Sequence, residues 1–322
     1  MDRAATPAVF APPSLRPWHK KAVIDGIKSL IPFQNAARRL KRKLFPYETQ
    51  PDRDCDLVQD ARDQLLKLAE LGVKIEGATV VEIGTGWNPV LPLMLRLYGA
   101  GKIITLDQER LLDGHTVQTG IDSLSRMRAL FEDRLAAAGL TANFDVLKVG
   151  AGAWERALAE RNIDYRAPAD FRQLPARIAD IIISRDVLEH VPPGLLAGIM
   201  TASYRILKDG GIICHKIDMT DHWEHLDKSI SPVNFLKYDG LAWKLAGLNP
   251  QNYQNRLRRF EFVEMAERGG FNVIAAAGHP DTRALTALKA MPVISRYAAV
   301  PHDELAVLHT TLVARKNTFT PP

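Results

Sequence analysis

Cysteine is almost absent from this sequence, since only Cys55 and Cys214 occur among its 322 residues. Two cysteines so far apart exclude a disulfide framework and predict a reducing compartment, which we take to be the cytoplasm. No apolar run approaches the ~18 residues of a membrane-spanning helix, and the N-terminus lacks the apolar core of a secretion signal. We therefore expect a soluble, unprocessed protein.

Aromatic residues make up only 7% of the chain, and they do not alternate with its basic residues. This absence excludes a stacking surface for single strands, so no nucleic-acid partner is expected. Basic charge is local: residues 1–46 carry a net charge of +8, which leaves −3 for the rest of a chain whose total is +5.

The basic N-terminal region divides into two parts. Residues 1–17 are rich in Ala and Pro and are predicted to form a disordered tail. Residues 18–53 place apolar residues at helical spacing opposite a basic face, which predicts a helical extension. For residues 18–46 we leave open peripheral contact with an anionic membrane, contact with an acidic acceptor, a lid, or an ordinary packing helix.

From residue 54 onward, helical and strand patterns alternate. Buried strands are predicted in ATVVEIG, KIITLD, IADIIIS and IICHKI, with helices between them, the last of which is closed by KDGG, residues 208–211. FNVIAAAG and LAVLHTTLVARK read as a terminal strand pair. Such alternation predicts an α/β fold whose largely parallel sheet has helices on both faces, with ligands at the carboxyl ends of the strands.

The first of these strands runs into a glycine turn, VVEIGTGWNP, residues 80–89. Pro89 stands where a dinucleotide-binding turn needs a third glycine, and the Gly-Lys-Ser or Gly-Lys-Thr of a phosphate loop is missing. A pyrophosphate ligand is therefore disfavoured. Gly84 and Gly86 still allow a ligand to lie against the backbone, and amides at the next helix start can bind a carboxylate.

Two acidic residues complete the predicted ligand-binding site. Glu82 puts a negative charge near the turn, and Asp107 ends the next strand, where a carboxylate can accept both hydroxyls of an unphosphorylated ribose. A ligand with a ribose, an amino-acid carboxylate and ammonium, and no phosphate is indicated. S-adenosylmethionine fits this description.

Four motifs in order, VVEIGTGWNP, TLD, DIIISRDVLEHV and LKDGGIICHKI, resemble those of class I S-adenosylmethionine-dependent methyltransferases. The resemblance covers about residues 55–316. It implies a Rossmann-like, seven-stranded, mostly parallel sheet with a terminal antiparallel strand, and S-adenosylmethionine as cofactor. Asn88 departs from the family, which often has glycine there. A long insertion, expected to hold two helices, separates Asp107 from the strand near residue 180.

The resemblance also implies cofactor contacts. An acid after the third strand, which we place in IDYRAPADF, receives the adenine amino group, which points to Asp170, although an ordinary surface acid is the alternative. The loop after the fourth strand forms a wall around the methionine portion. The predicted cofactor-binding residues are Glu82, Gly84, Thr85, Gly86, Asp107, Ala169, Asp170, Phe171, Ser184 and Arg185.

Methyl transfer from a sulfonium needs mainly alignment of the reactants, plus a base for a hydroxyl acceptor. We predict His190 and His222 as catalytic residues, because both follow strand ends and histidine titrates near neutrality. A structural role for His190 remains open. For His222 a solvated loop or a metal site with neighbouring acids is open, but the spacing is not diagnostic and no metal is assigned. His215 and His309 are expected to be structural.

Residues 218–255 interrupt the α/β rhythm and are predicted to be an acceptor-side insertion within a catalytic domain of residues 54–322. Their aromatic residues suit a sugar or another amphipathic acceptor, or simply cap the core. The stretch also resembles segments of bacterial methyltransferases that modify surface glycans. Asn255, Arg256, Arg258 and Arg259 either meet an acidic acceptor or start a helix.

The predicted function is methylation of an oxygen on a small molecule or glycan. Two other functions remain open from the sequence. One is a methyltransferase-fold binding or scaffold protein that has lost turnover, and the other is an N-methyltransferase of a small amine.

Overall fold

The computed structural model describes residues 51–148, 153–240, 243 and 253–317. The predicted tail, nearly all of the predicted helical extension and the predicted membrane-contact segment 18–46 lie outside these residues. Within the described ranges, no helix combines the length and the apolar character that crossing a membrane requires.

Helices and strands alternate through the described chain. The helices are α1 (Pro51–Glu70), α2 (Val90–Leu97), α3 (Gly114–Arg126), α4 (Glu132–Ala137), α5 (Trp154–Ala159), α6 (Pro193–Ile206), α7 (Arg259–Arg268), α8 (Thr282–Ala290) and α9 (His302–Leu305). The strands are β1 (Thr79–Ile83), β2 (Lys102–Leu106), β3 (Ile163–Arg166), β4 (Ala179–Arg185), β5 (Leu207–Asp218), β6 (Phe271–Ala277) and β7 (His309–Lys316).

The strands form one seven-stranded sheet in the order β3-β2-β1-β4-β5-β7-β6. Neighbouring strands from β3 to β5 pair in parallel, whereas β7 pairs antiparallel with both β5 and β6. This confirms the predicted Rossmann-like, mostly parallel sheet with its antiparallel strand, and it confirms a third strand within IDYRAPADF.

Alternate strand residues face two separate hydrophobic cores, as expected for a sheet that is covered on both sides. Val80 packs with the apolar faces of α1 and α2 in one core. Its neighbour Val81 packs with α6 and α7 in the other. Near-continuous apolar strands such as β4 therefore follow from burial on both faces.

Two local predictions were wrong. The insertion after Asp107 holds α3, α4 and α5 before β3, not two helices, because α4 and α5 are only six residues long and their periodicity is weak. Residues 208–211, predicted to close the helix before the fifth strand, lie inside β5, where the pairing with β4 shifts register. Gly210 has φ +72°, which lets this irregular strand start bend without a separate loop.

The sheet register brings four strand ends to one edge. Ile83 pairs with Leu106, so the loops after β1 and β2 start side by side. On the other side of β1, Arg185 pairs with Lys216, which aligns the ends of β4 and β5. Every predicted site residue follows or ends one of the parallel strands, so the fold gathers them at this edge.

The segment after β5 packs as part of the core. Phe235 is fully buried with Leu236 against Tyr297 and Leu305, and Trp223 is 6% exposed. This arrangement favours core capping over an open sugar platform for these two aromatic rings. The extent of the predicted insertion, residues 218–255, stays a prediction, because residues 241, 242 and 244–252 lie outside the described chain.

The basic residues before α7 serve the fold. Arg258 is fully buried and donates hydrogen bonds to the carbonyls of Met219 at 2.7 Å and Leu305 at 2.8 Å, and also to that of Val307. It is also the N-terminal cap of α7, which confirms the helix-start alternative. An acidic acceptor cannot reach its guanidinium.

We expect Arg258→Met to lower the free energy of unfolding by about 2–4 kcal/mol, because three buried carbonyls lose their donor while the apolar stem is kept. Urea unfolding measures this change. The matched control is Arg268→Met on the same helix, whose side chain is 77% exposed and forms an ion pair with Glu264. The control should change stability by no more than about 0.5 kcal/mol. Equal effects of the two substitutions would contradict the assigned role.

Candidate active site

The glycine turn after β1 leaves open space beside its second glycine. Gly84 and Gly86 have left-handed backbones, with φ +77° and +70°. A Cβ at Gly84 would lie 2.7 Å from Cγ2 of Val187, so packing within the protein requires glycine there. A Cβ at Gly86 would meet no atom of the described chain within 4 Å. A ligand can therefore approach the backbone at Gly86.

Asp107 ties this turn to the end of β2. Its Oδ1 accepts a hydrogen bond from the Gly86 amide at 3.2 Å, and its carbonyl accepts one from the Ala169 amide at 2.9 Å. Oδ2 is buried and makes no hydrogen bond of normal geometry within the described ranges. Burial raises the pKa of Asp107 to about 6, although the nearby Tyr165 hydroxyl acts to lower the pKa of this carboxyl. A ligand hydroxyl at this position would supply the missing donor.

Glu82 supports the turn from within the sheet. It is 2% exposed, and its Oε2 accepts a hydrogen bond from the hydroxyl of Thr105, which also contacts the hydroxyl of Thr85. Burial raises the pKa of Glu82 to about 7, an effect that the Thr105 hydrogen bond opposes. Direct contact of Glu82 or Thr85 with a ligand stays a prediction.

The predicted adenine contacts lie next to Asp107, as the Ala169 hydrogen bond shows. Phe171 is 6% exposed and packs in the core, so only its edge is available to a ligand. The carboxylate of Asp170 caps the following turn through the Arg172 amide at 2.9 Å and pairs with the Arg172 guanidinium. Adenine recognition by Asp170 stays a prediction.

Ser184 and Arg185 have different environments at the end of β4. Ser184 is fully buried, and its hydroxyl lies 2.8 Å from Nδ1 of His215. Its side chain therefore serves the packing of β4 on β5. Contact of Ser184 with the cofactor stays a prediction. His215 is also fully buried, as predicted for a structural residue, and burial lowers its pKa to about 4.

Arg185 belongs to an ion-pair network that links α1 to the ends of β4 and β5. Its Nη1 lies 2.6 Å from Oδ2 of Asp186 and 3.3 Å from Oδ2 of Asp60. Lys216 Nζ contacts the same two acids at 3.0 and 2.7 Å. Asp186 has a left-handed backbone, φ +52°, at the start of the loop that carries His190. Contact of Arg185 with the methionine portion stays a prediction.

His190 is presented to solvent by a short turn, Leu188–His190. Its Nδ1 lies 2.9 Å from the carbonyl oxygen of Tyr253. A carbonyl only accepts, so Nδ1 carries the hydrogen and Nε2 keeps a lone pair. Although one side of the ring is exposed, partial desolvation by the surrounding protein lowers its pKa, which favours the neutral imidazole that can accept a proton.

A clamp fixes the turn that carries His190. Asn255 donates from its side chain to the carbonyls of Leu188 at 2.7 Å and Val191 at 2.9 Å, and from its backbone to that of Glu189 at 2.8 Å. We call these three hydrogen bonds the Asn255 clamp. They assign Asn255 to the fold, not to an acidic acceptor.

The structure brings the two predicted catalytic histidines together. The ring centroids of His190 and His222 are 4.9 Å apart, although 32 positions of sequence separate them. His222 Nε2 lies 3.5 Å from Oδ2 of Asp218, and the His222 and His225 rings are 5.7 Å apart. Asp221 points elsewhere, since its carboxylate accepts from the Trp223 amide and from Asn234.

Sequence reasoning missed several residues around the site. Asp186 follows Arg185 directly, so its position after β4 was a usable signal. Thr105 and Tyr165 gave weaker signals, because each lies on a strand where a polar side chain can face either core or loop. The hydroxyl of Tyr165 accepts from the Leu111 amide at 2.9 Å. No signal in the sequence points to Asp60, since nothing in its helix indicates a contact with β5.

Comparison with known proteins gives a family. A model of the methyltransferase domain matches residues 50–276. Among solved structures, an S-adenosylmethionine-dependent methyltransferase from Mesorhizobium loti is 14% identical and has a TM-score of 0.43, over 78% of this chain and 96% of that one. The magnesium protoporphyrin IX methyltransferase of Synechocystis, solved with bound SAH, is 12% identical with a TM-score of 0.48, over 91% and 100%.

These two structural likenesses are too weak to carry a functional conclusion. No curated protein matches the chain. The family model, in contrast, covers well over half of the sequence, and it agrees with the four motifs that the sequence shows in order. The chain therefore belongs to the methyltransferase-domain family, as the resemblance to class I S-adenosylmethionine-dependent methyltransferases predicted.

Proposed function

We propose that the protein transfers a methyl group from S-adenosylmethionine to an oxygen of a small-molecule or glycan acceptor. The observation that carries the cofactor site is the buried Oδ2 of Asp107, which makes no hydrogen bond of normal geometry to any described residue, beside the open side of Gly86. An unmet acceptor next to accessible backbone suits a ribose diol, whose hydroxyls donate to one carboxylate while the ring lies over the glycine.

The rest of the cofactor follows from this anchor. Its adenine would extend towards Ala169, whose amide already bonds to Asp107, and its methionine part towards Arg185. Each carboxylate oxygen has about two lone-pair sites, so Asp170 can accept from an adenine amino group while it keeps Arg172. In this pose the methyl group lies between the ends of β1 and β4, on the side of His190.

His190 is the proposed general base. Its Nδ1 is held by Tyr253, its Nε2 is left as an acceptor, and its lowered pKa keeps it neutral. An acceptor hydroxyl that gives its proton to Nε2 becomes a nucleophile for the sulfonium methyl group. His222, in ring contact with His190, would position the acceptor. An amine acceptor would use the same base, so the acceptor atom must be found by experiment.

Leucine substitutions at Gly86 and at Gly72 should differ in their effect on S-adenosylmethionine binding. Gly86→Leu and Gly72→Leu both place a side chain at positive φ with no described atom within 4 Å of Cβ, but Gly72 lies far from the site. Gly86→Leu should weaken S-adenosylmethionine binding at least about tenfold, and Gly72→Leu should not. Asp107→Ala should cost about 1.5–3 kcal/mol of binding. Calorimetric affinity that is unchanged in both site variants would contradict the assignment.

Cofactor affinity should also depend on pH. The carboxyl pKa values are raised to about 6 for Asp107 and about 7 for Glu82, so both groups are ionised above these values and protonated below them. The ionised form of Asp107 accepts the stronger hydrogen bonds. Affinity should therefore be full near pH 8 and fall at least about fivefold by about pH 5.

Calorimetry across this range measures the effect, and Asp107→Asn is the control. That variant should bind more weakly at every pH and should lose most of the pH dependence. A constant affinity of the unaltered protein across the range would show that Asp107 does not receive the ribose.

If His190 is the general base, its replacement should affect turnover without affecting cofactor binding. His190→Gln should keep cofactor affinity and lower turnover by about 10²–10⁴-fold, the usual contribution of a positioned general base. His222→Gln should have a smaller effect, and the exposed His302→Gln should have none. The acceptor is found first, by mass spectrometry of candidate hydroxyl and amine compounds that gain one methyl group.

Two outcomes would overturn the proposal. Full turnover by both His190→Gln and His222→Gln would remove the histidine base. Cofactor binding without methylation of any compound in a broad panel would favour the scaffold alternative.

A further inference from the structure

A carboxylate and two imidazoles converge beyond the end of β5. Asp218, His222 and His225 each offer one ligand atom, and all three atoms lie within 4.8 Å of one another. Metal bonds of about 2.0–2.2 Å place neighbouring ligand atoms roughly 3–4 Å apart, so small side-chain rotations suffice to close around an ion. We call these three residues the Asp218 triad.

The carboxylate of Asp218 is oriented for such a role. Its Oδ1 accepts a hydrogen bond from the Thr220 amide at 2.8 Å and lies 3.6 Å from Nδ1 of His309. This leaves Oδ2 directed at His222, whose Nε2 is 3.5 Å away. The Nε2 atom is buried and makes no hydrogen bond of normal geometry to the described residues. A positioned oxygen and an unsatisfied nitrogen therefore face each other.

The local fold explains why the two histidines stand together. Asp221 caps the turn His222–His225 by accepting from the Trp223 amide at 3.0 Å. The turn is a 3-10 helix, in which residues i and i+3 lie one above the other. His222 and His225 consequently stack on one side, with ring centroids 5.7 Å apart. The end of β5 then sets Asp218 against this side.

A second trio, Glu189, His190 and His222, shares the central histidine. In that trio His190 would have to bind through Nε2, the atom that the proposed function uses as the base, because its Nδ1 donates to the Tyr253 carbonyl. The only short contact of the buried His222 Nε2 with a carboxylate is, among the described groups, with Asp218. These contacts favour the Asp218 triad.

We propose that Asp218, His222 and His225 bind one divalent transition-metal ion, such as Zn²⁺, Fe²⁺ or Co²⁺. Two imidazoles and one carboxylate suit these ions, whereas Mg²⁺ and Ca²⁺ prefer oxygen ligands alone. Three protein ligands leave coordination positions open, and the exposed side of His225 leaves them accessible.

The role of the ion rests on the proposed function. An acceptor hydroxyl that binds at an open position would lose its proton to Nε2 of His190, which lies beside His222. The oxygen lone pair would then form the new bond to the methyl carbon. The bond from that carbon to the sulfonium sulfur would break, and S-adenosylhomocysteine would leave. The ion stabilises the developing alkoxide.

Metal binding is tested on tag-free, chelator-treated full chain, without cofactor or acceptor. Calorimetry with Zn²⁺ and visible absorption with Co²⁺ should both report one site per chain, and Mg²⁺ should bind far more weakly. Asp218→Asn and His225→Gln should each reduce Zn²⁺ affinity about tenfold or more, since even an outer partner of a metal site is worth 10–100-fold. The amide at 218 keeps an oxygen for the Thr220 amide, which protects the local fold.

Two further variants test whether the ion binds at the Asp218 triad and not at the other trio. His302→Gln is the control for loss of an exposed histidine and should leave affinity unchanged. Glu189→Gln should also leave it unchanged, and a loss there with none in His225→Gln would place the ion in the other trio and overturn the proposal. Absence of one-to-one binding by the unaltered protein at about 100 μM would overturn it too. S-adenosylmethionine binding and methylation of the acceptor, measured separately, show whether the proposed methyl transfer stands when metal binding fails.

Discussion

The ion pairs of Lys216 with Asp60 and Asp186 stabilise the edge of the sheet at which the candidate active site lies. They join α1 to the ends of β4 and β5, at 2.7 and 3.0 Å, in a setting where each side chain is only 18–26% exposed. Burial alone would lower the pKa of Lys216, but the two carboxylates raise it. Without the ammonium group, Arg185 would be the one described cation left to balance these two acids.

This pairing reaches the glycine turn through the backbone. Asp186 sits in a left-handed conformation that costs a non-glycine residue roughly 1–2 kcal/mol, and its ion pairs offset that cost. The next residue, Val187, then packs so closely on Gly84 that no Cβ fits between them. The loops after β1 and β4 thus fix each other's shape, and the open side of Gly86 is preserved.

The sequence predicted the architecture well because its signals were local and repeated. Buried strands, amphipathic helices and strand-end acids recur with little ambiguity, and Glu82, Gly86 and Asp107 are close together at the predicted edge. It also paired His190 with His222 as catalytic candidates, and their rings are in contact. Both observations depend only on which loops follow which strands.

Sequence patterns did not predict side-chain partners where long-range packing decides the direction of the side chain. Ser184 lies one residue before the end of β4, yet the alternation of the strand turns its hydroxyl to His215 inside the sheet, and its cofactor contact stays a prediction. Arg258 reads as a surface charge in sequence, but it satisfies carbonyls from segments about 40 and 50 residues away. No pattern within a short window encodes such partners.

The Asn255 clamp has a consequence for how this protein can diversify. Tyr253 and Asn255 end the same covalent segment that begins after β5, and they orient and hold the turn of His190. The segment that is predicted to lie on the acceptor side thus ends in the residues that orient the imidazole. A lengthened or shortened insertion would pull on these anchors, so a new acceptor cannot be accommodated by loop exchange alone. Residues 253–255 would have to keep their register with the turn of His190, whereas the sequence before them could vary.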